Sequence, residues 1–593
     1  MRITPRGTSI QELYRWYRDS LLLVNRRYQR KLVWTLEEKA SLIDSILRGY
    51  PIPLFLLAED KAETQTRYEI IDGMQRLNAI FTFIETNYSF NGKYFDLEEF
   101  SRARQAAEEG LFTRIDPSLT TLDKKMCADF LDYQLAVTVF PGSSEEDITG
   151  VFGRINSSGR QLSNQEKRQA GIVTPFADLV RRLASELRGD VSDDLLNLSQ
   201  MPTISIESKK TIQGYGISAE NTFWCRHGIL SSKQLRESDD EDLIADIAAS
   251  VLLKFPFPRS KELLDQLYLS TEGVGQNVEN ALTVYGSQKL ASDLKGVFSI
   301  IDSTVQSVDN SPNKLRKTVT GGSSVASIKT PFYALFMAFF DLVVHEQKSP
   351  YNSNDILKAL QKISDKLATG RHYITRDDRE KNINMTKGLI QDFFINKEPP
   401  DLGHGTGLVI DFENSLRRSK IENSRYEMKQ GLLRLDHRRD VDPDIINSLA
   451  ETFCGIANLG PKSTGYVHLG VADKKQDADR IQTLDSVEPI DVSGRFVVGI
   501  DREAILRQGN LDSYINWITE QIRNTKLSDP LKTDILGKLD PINYKGLSVL
   551  RIQIPSQESA SYVGEKCFTR EGSQTIEVAG PKIEAIIKRF SNS

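Results

Sequence analysis

The chain is poor in the residues that build metal clusters and disulfide frameworks. It holds four cysteines and six histidines in 593 residues. Cys127, Cys225, Cys454 and Cys567 form no C-x-x-C pair, so neither a zinc site nor a disulfide scaffold is expected of so long a chain. Long apolar runs are also missing. The most hydrophobic stretch, 331 to 344, is interrupted by Asp341 and is shorter than the ~20 residues that cross a bilayer, so it reads as a buried helix. Met1-Arg2-Ile3-Thr4-Pro5-Arg6 lacks the apolar core of a signal peptide, and a cytoplasmic protein without membrane contact is expected. No excess of positive charge exists. The net charge is −5, so any nucleic-acid surface must be local, as at Arg26 to Lys31 or Arg417 to Lys420. The sequence shows no fixed-period repeat, no Walker A motif and no Ser–His–Asp arrangement. His468 alternates with apolar residues and reads as a satisfied inward or edge residue, and His404 reads as solvated.

What remains is an ordinary apolar fraction of 39% and a charged fraction of 26%, typical of a soluble globular chain. Its length calls for several domains. Residues 1–175 read as mixed α/β and 176–395 as mostly helical, with a polar loop expected from Ser307 to Ser324. Two prolines and three glycines make 396–408 a linker, and 409–593 form a further α/β domain. The fold class expected is α+β multidomain.

The most telling stretch is Ile71-Asp72-Gly73-Met74-Gln75-Arg76. Tyr68 to Ile71 is a short buried-strand pattern, Asp72-Gly73 a turn, and Leu77, Ile80, Phe81 and Ile84 recur at helical spacing. A glycine turn entering a helix presents unpaired N–H groups and a partial positive charge. Gln75 and Arg76 add donors. This is either an anion or nucleotide-phosphate site or an ordinary strand–turn–helix. Upstream, Thr35 and Glu38 have the spacing of a capping box, opening a helix that ends at Gly49. Ser163 and Glu166 repeat that spacing.

Three segments together resemble the ParB/sulfiredoxin-like N-terminal domain of GmrS-type and SspE-type anti-phage restriction proteins. They are Gln29, Arg30, Val33 and Trp34; Asp72, Gly73, Gln75 and Arg76; and Arg154, Asn156, Gly159 and Leu162. The resemblance covers roughly 10–175. It implies nucleoside triphosphate binding, often with hydrolysis, through Gln29, Arg30, Asp72, Gly73, Gln75, Arg76, Arg154 and Asn156, used to license or restrain an effector.

The C-terminal region has its own pattern. A short helix bearing Phe412, Leu416 and Ile421 is followed by a strand expected from Arg425 to Leu433. Asp442-Pro443 is suited to open a helix carrying Ile446, Leu449, Phe453 and Ile456. Strands follow at 466–471 and 549–555. Glu427 and Lys429 lie two apart on a strand and share a face. A turn at Asn423-Ser424 could bring Glu422 to Glu427, and Asp473 follows a strand that could neighbour theirs. Three such carboxylates suit a hard cation, Mg²⁺ or Mn²⁺, with Lys429 facing the transition-state charge. The bland alternative is a set of exposed acids on a binding domain.

Four segments here resemble the Schlafen AlbA-like domain: Glu422, Glu427, Met428 and Lys429; Ala457, Asn458 and Gly460; Gly465, Tyr466, Val467, Gly470, Val471 and Asp473; and Phe568, Arg570, Gly572, Ser573 and Thr575. The resemblance covers about 410–590. It implies metal-dependent cleavage of RNA in some members and nucleic-acid binding without known catalysis in others. Three readings stay open: a nucleotide-switched nuclease used in defence, a nucleotide-responsive DNA- or RNA-binding regulator, and an NTPase with a recognition module. A homo-oligomer is compatible with each.

Overall fold

A computed structural model describes residues 5–26, 31–60, 66–109, 111–112, 114–116, 118–140, 163–169, 174–190, 195–206, 216–258, 260–269, 273–323, 327–368, 374–396, 407–419, 423–442, 444–461 and 463–591. The chain divides into two compact units, Met1–Pro399 and Pro400–Ser593. Secondary structure is mixed α and β in a multidomain chain. Among the described residues no helix is long and apolar enough to cross a membrane.

In the first unit, six strands form one mixed sheet: β1 (Arg6–Ser9), β2 (Leu22–Asn25), β3 (Phe55–Asp60), β4 (Arg67–Asp72), β5 (Gln134–Phe140) and β6 (Leu195–Asn197), in the order β1-β5-β3-β4-β2-β6. β3 runs parallel to β5 and antiparallel to β4. Helix α1 (Leu36–Leu47) opens on the Thr35–Glu38 capping box, in which both reciprocal hydrogen bonds are made. Helix α2 (Met74–Ile84) follows β4 directly. Every one of its residues is buried, the polar Gln75, Arg76, Asn78 and Thr82 included.

Behind the sheet lies the helical part of the same unit, centred on α4 (Asp239–Leu253), to which α3 (Pro175–Arg188) packs. α4 begins with Asp239, Asp240, Glu241 and Asp242, a charge run that would normally be a solvated helix end. Here all but Asp239 are buried, and each acid holds a cation from elsewhere. Lys329 meets Asp239 at 2.5 Å. Arg188 donates to Asp240 at 2.7 Å and to Glu241 at 3.0 Å, and Lys31 lies 3.8 Å from Glu241. Arg168 bonds Asp242 at 2.7 Å. One turn further, Arg379 grips Asp246 bidentately at 2.6 and 2.8 Å and stacks 3.5 Å from the Tyr333 ring centroid. Acids in a first helical turn also face the positive end of the helix dipole.

The stretch Ser307 to Ser324 is not all loop: Lys314–Thr320 is a helix. Leu315 and Val319 are drawn into the core, and the Asn313 and Arg316 N–H groups bond the Arg226 and His227 carbonyls at 2.7 and 3.1 Å. Burial outweighs the polar, turn-forming composition there.

The second unit holds a sheet ordered β12-β13-β8-β7. Its members are β7 (Tyr426–Lys429), β8 (Gly465–Leu469), β12 (Leu539–Tyr544) and β13 (Leu547–Ile554). β8 runs parallel to β7, pairing Val467 with Glu427. A second sheet joins β9 (Val471–Ala472), β10 (Ile490–Val492) and β11 (Arg495–Val497). β14 (Cys567–Glu571) and β15 (Gln574–Val578) form a hairpin. Helix α5 (Gly407–Arg418) precedes β7, and α6 (Ile445–Ala457) packs on β14.

Four expected boundaries move. The helix after the linker ends at Arg418, short of Ile421. The strand expected to reach Leu433 stops at Lys429. Residues 431–433 turn away because the buried Glu503 carboxylate accepts the Leu432 and Leu433 N–H groups at 2.8 and 3.2 Å. Helix α6 starts at Ile445, with Asp444 rather than Asp442 at its cap. The strand expected over 466–471 divides at Gly470, whose φ of 100° ends β8 and lets β9 enter the other sheet.

Cys454 and Cys567, 113 residues apart, are both buried. The Asn458 Nδ2 donates toward their sulfurs at 3.4 and 3.5 Å and to the Ser561 and Phe568 carbonyls at 2.9 and 2.8 Å. All four cysteines are free thiols.

Candidate functional sites

In the first unit the β4–α2 junction is built around Gly73. Its φ of 103° favours glycine, and a Cβ there would lie 2.4 Å from Cδ1 of Phe55. Gly73 has no side chain and so makes no side-chain cap bond to the N–H groups of the first turn. Arg76, one turn in, is largely buried. Its Nη2 donates to Asp72 Oδ2 at 2.7 Å, Nη1 donates to the Pro53 carbonyl, and the guanidinium lies 4.7 Å from the Phe55 ring centroid. Asp72 and Arg76 are thus brought together at the N-terminal end of α2. Gln75 does something the sequence did not suggest. Its Oε1 accepts the Val33 and Trp34 N–H groups at 3.1 and 3.3 Å, and its Nε2 donates to the Lys31 carbonyl at 2.7 Å. The amide clamps the chain that follows the Gln29-Arg30 motif. Lys31 in turn donates to the Leu235 carbonyl and the Ser238 hydroxyl, each at 3.2 Å. Gln29, Arg30, Arg154 and Asn156 lie outside the described residues.

In the second unit the expected pair on β7 forms. Lys429 Nζ is 2.9 Å from Glu427 Oε1. Arg570 of β14, with a side chain only 1% exposed, meets Glu427 Oε2 at 3.0 Å. It also donates to Thr575 Oγ1 at 2.9 Å and to the Tyr426 carbonyl at 3.2 Å. Asp473, just past β9, pairs with Arg495 of β11, whose Nε donates to Ser419 Oγ at 3.0 Å. Burial pushes the Arg495 pKa down, and the charge of Glu427 opposes that shift. Glu427 and Asp473 therefore share a neighbourhood through Arg495. Glu422 lies outside the described residues.

The carboxylates offer the hard oxygen donors that a divalent cation prefers. As placed, however, both are occupied by cations of the protein. Among the described residues no three His, Cys, Asp or Glu converge on a point where a metal ion could sit. The described donor set alone does not fit a metal centre. Arg495 and Ser419 were not identifiable from sequence, because neither stands at an informative spacing from Glu427. Arg570 lay in a quoted motif without a role.

His468 is fully buried beneath this region, packed on Phe412 and Tyr466. Its Nε2 is 2.7 Å from Ser415 Oγ, and Nδ1 has no hydrogen-bond partner among the described residues. Burial, aided by Arg551, lowers its pKa to about 3, so it is neutral at physiological pH.

Residues 10–173 match the family of the GmrSD restriction endonuclease, N-terminal domain. No curated protein matches the chain. The matched segment lies within the first unit and encloses the Asp72–Arg76 junction.

Proposed function

We propose that the protein is a cytoplasmic anti-phage restriction effector. Its N-terminal domain binds a nucleoside triphosphate, and its second unit acts on nucleic acid. The observation that carries this reading is the family match over residues 10–173, which encloses the glycine-turned junction where Asp72 and Arg76 meet. The bound phosphates would lie at the N-terminal end of α2, with Gln29, Arg30, Arg154 and Asn156 completing the site and Gln75 keeping the Lys31–Trp34 segment in place. A restriction family points to DNA as the nucleic acid.

The proposal extends to cleavage, with Glu422, Glu427 and Asp473 as oxygen ligands of Mg²⁺ or Mn²⁺ and Lys429 beside the phosphate. The ion pairs of Glu427 and Asp473 favour a second reading, in which this unit, a Schlafen AlbA-like domain by its motifs, holds nucleic acid without cutting it. The two are separated by incubating the full chain with labelled dsDNA, ssDNA, tRNA and rRNA, with and without Mg²⁺ or Mn²⁺ and NTPs. Metal-dependent products lost in Glu427→Gln support cleavage. Intact substrates that are nonetheless bound support the second reading. Calorimetry showing equal NTP affinity in folded Arg76→Ala and in the parent protein would remove the nucleotide assignment.

A further inference from the structure

The groups around Glu427 come from well-separated parts of the second unit. Lys429 is on β7, Arg495 on β11, Arg570 on β14, Asp473 follows β9, and Ser419 follows α5. Among the described residues three cations, Lys429, Arg495 and Arg570, face two carboxylates, Glu427 and Asp473. The groups differ in depth. Arg570 is buried and held by Glu427, Thr575 and the Tyr426 carbonyl, so it is a fixed charge at the back. Lys429 and Arg495 stand further forward, with side chains 27% and 16% exposed, and Asp473 is outermost at 52%.

This arrangement is poorly suited to a cation, which would have to enter against three positive charges. It suits an anion. From these groups we infer that Lys429 and Arg495, backed by Arg570, form a binding subsite for one backbone phosphate of a nucleic acid, and that Asp473 occupies the place of that phosphate in the unliganded protein. The inference rests on the proposal that this unit handles nucleic acid, and it names the residues that grip the backbone.

Three physical points support it. Asp473 is half-exposed, and an ion pair with one solvated partner is worth little, so an incoming anion displaces Asp473 at small cost. A guanidinium binds phosphate strongly, and Ser419 fixes the Arg495 fork by accepting from Nε at its hydroxyl and from Nη2 at its carbonyl, 3.4 Å away, which leaves Nη1, the nitrogen paired with Asp473, as the donor an incoming phosphate would take over. Arg495 is also under-compensated where it stands, since burial disfavours its charge and Glu427 opposes that only in part. A phosphate would supply the missing negative charge.

The test is fluorescence anisotropy on the full chain in EDTA, so that no cleavage intervenes. The probes are end-labelled oligonucleotides of one sequence as ssDNA, dsDNA and RNA, titrated at several salt concentrations. Each lost phosphate contact reduces the slope of log K against log salt by about one. Arg495→Ala and Lys429→Ala should each weaken binding about tenfold and flatten that slope by about one, while Arg495→Lys keeps the slope. Asp473→Asn, at an exposed position, should tighten binding threefold or more because it removes the competing anion. The probe bound most tightly identifies the backbone. Competition by inorganic phosphate or ATP at low millimolar concentration, without oligonucleotide preference, would show a free-phosphate site and overturn the nucleic-acid assignment. Unchanged affinity and slope in Arg495→Ala and Lys429→Ala, or weaker binding by Asp473→Asn, would overturn the subsite itself. If metal-dependent cleavage still occurs in that case, the broader function survives without it. If neither binding nor cleavage is found with any probe, the broader function falls too.

Discussion

Arg188 is the most consequential single side chain for the first unit. Its Nη1 serves Asp240 and Glu241 together, and the side chains of all three are at most 6% exposed. Burial raises the Asp240 pKa, against the opposing pull of Arg188 and Lys31, while for Glu241 the same two cations outweigh burial and hold the carboxylate below its usual range. Arg188→Met keeps much of the apolar stem and deletes the charge. It would leave two buried carboxylates with Lys31, 3.8 Å from Glu241, and the weaker field of Arg181 for compensation. Removing one partner of a buried pair costs about 3–5 kcal/mol, because the remaining charge stays desolvated. Urea unfolding followed by circular dichroism should show that loss at pH 7. The deficit should shrink as pH falls below about 4.5, where carboxylates become protonated. The triple variant Arg188→Met, Asp240→Asn, Glu241→Gln should recover most of the loss. A single variant within 1 kcal/mol of the parent protein at pH 7, or a deficit independent of pH, would refute the view that Arg188 neutralises this helix end.

Gly73→Ala should destabilise the first unit by roughly 2–4 kcal/mol in urea melts, since a left-handed φ and the approach of Phe55 act together; Gly49→Ala, with open space around it, should cost less. For His468, the folded pKa of about 3 lies below the ordinary 6.5. Its contribution to stability is complete above pH 6.5 and is lost as pH falls toward 3, on the order of 3–5 kcal/mol. His468→Asn should flatten that part of the stability–pH curve relative to the parent protein, and an unchanged slope would contradict it. Arg379→Lys should still destabilise by about 1–3 kcal/mol in urea melts, because an ammonium cannot reproduce the bidentate grip on Asp246 or the stacking on Tyr333.

Local patterns were legible in the sequence and long-range ones were not. The Thr35–Glu38 spacing announced a capping box because both of its bonds are made within four residues. The Glu427–Lys429 spacing announced a shared strand face for the same reason. Arg495 and Ser419 gave no signal, since only the folded sheets bring positions 419, 427, 473 and 495 together. The acidic run at Asp239 gave no signal either. Its neutralising partners, Lys31, Arg168, Arg188 and Lys329, lie between about 50 and 210 residues away, so the run carried the pattern of a solvated helix end. Gln75 stood in a recognised motif, but that its amide serves backbone groups 41 to 44 residues upstream was visible only in three dimensions.

The acidic start of α4 bears on how this protein can be taken apart. Residues 10–173 form the recognisable family segment, yet among the described residues three of their cations are neutralised outside it: Arg26 by Asp190, Lys31 by Glu241, with bonds to Leu235 and Ser238, and Arg168 by Asp242 and Asp265. A graft of that segment into another protein would bring these orphaned basic side chains to an interior built without their acceptors. For transplantation or independent expression, the exchangeable block is therefore Met1–Pro399 as a whole. Within it, a change in the motif-bearing domain has to be matched by a change at the head of α4, so the two should diversify together.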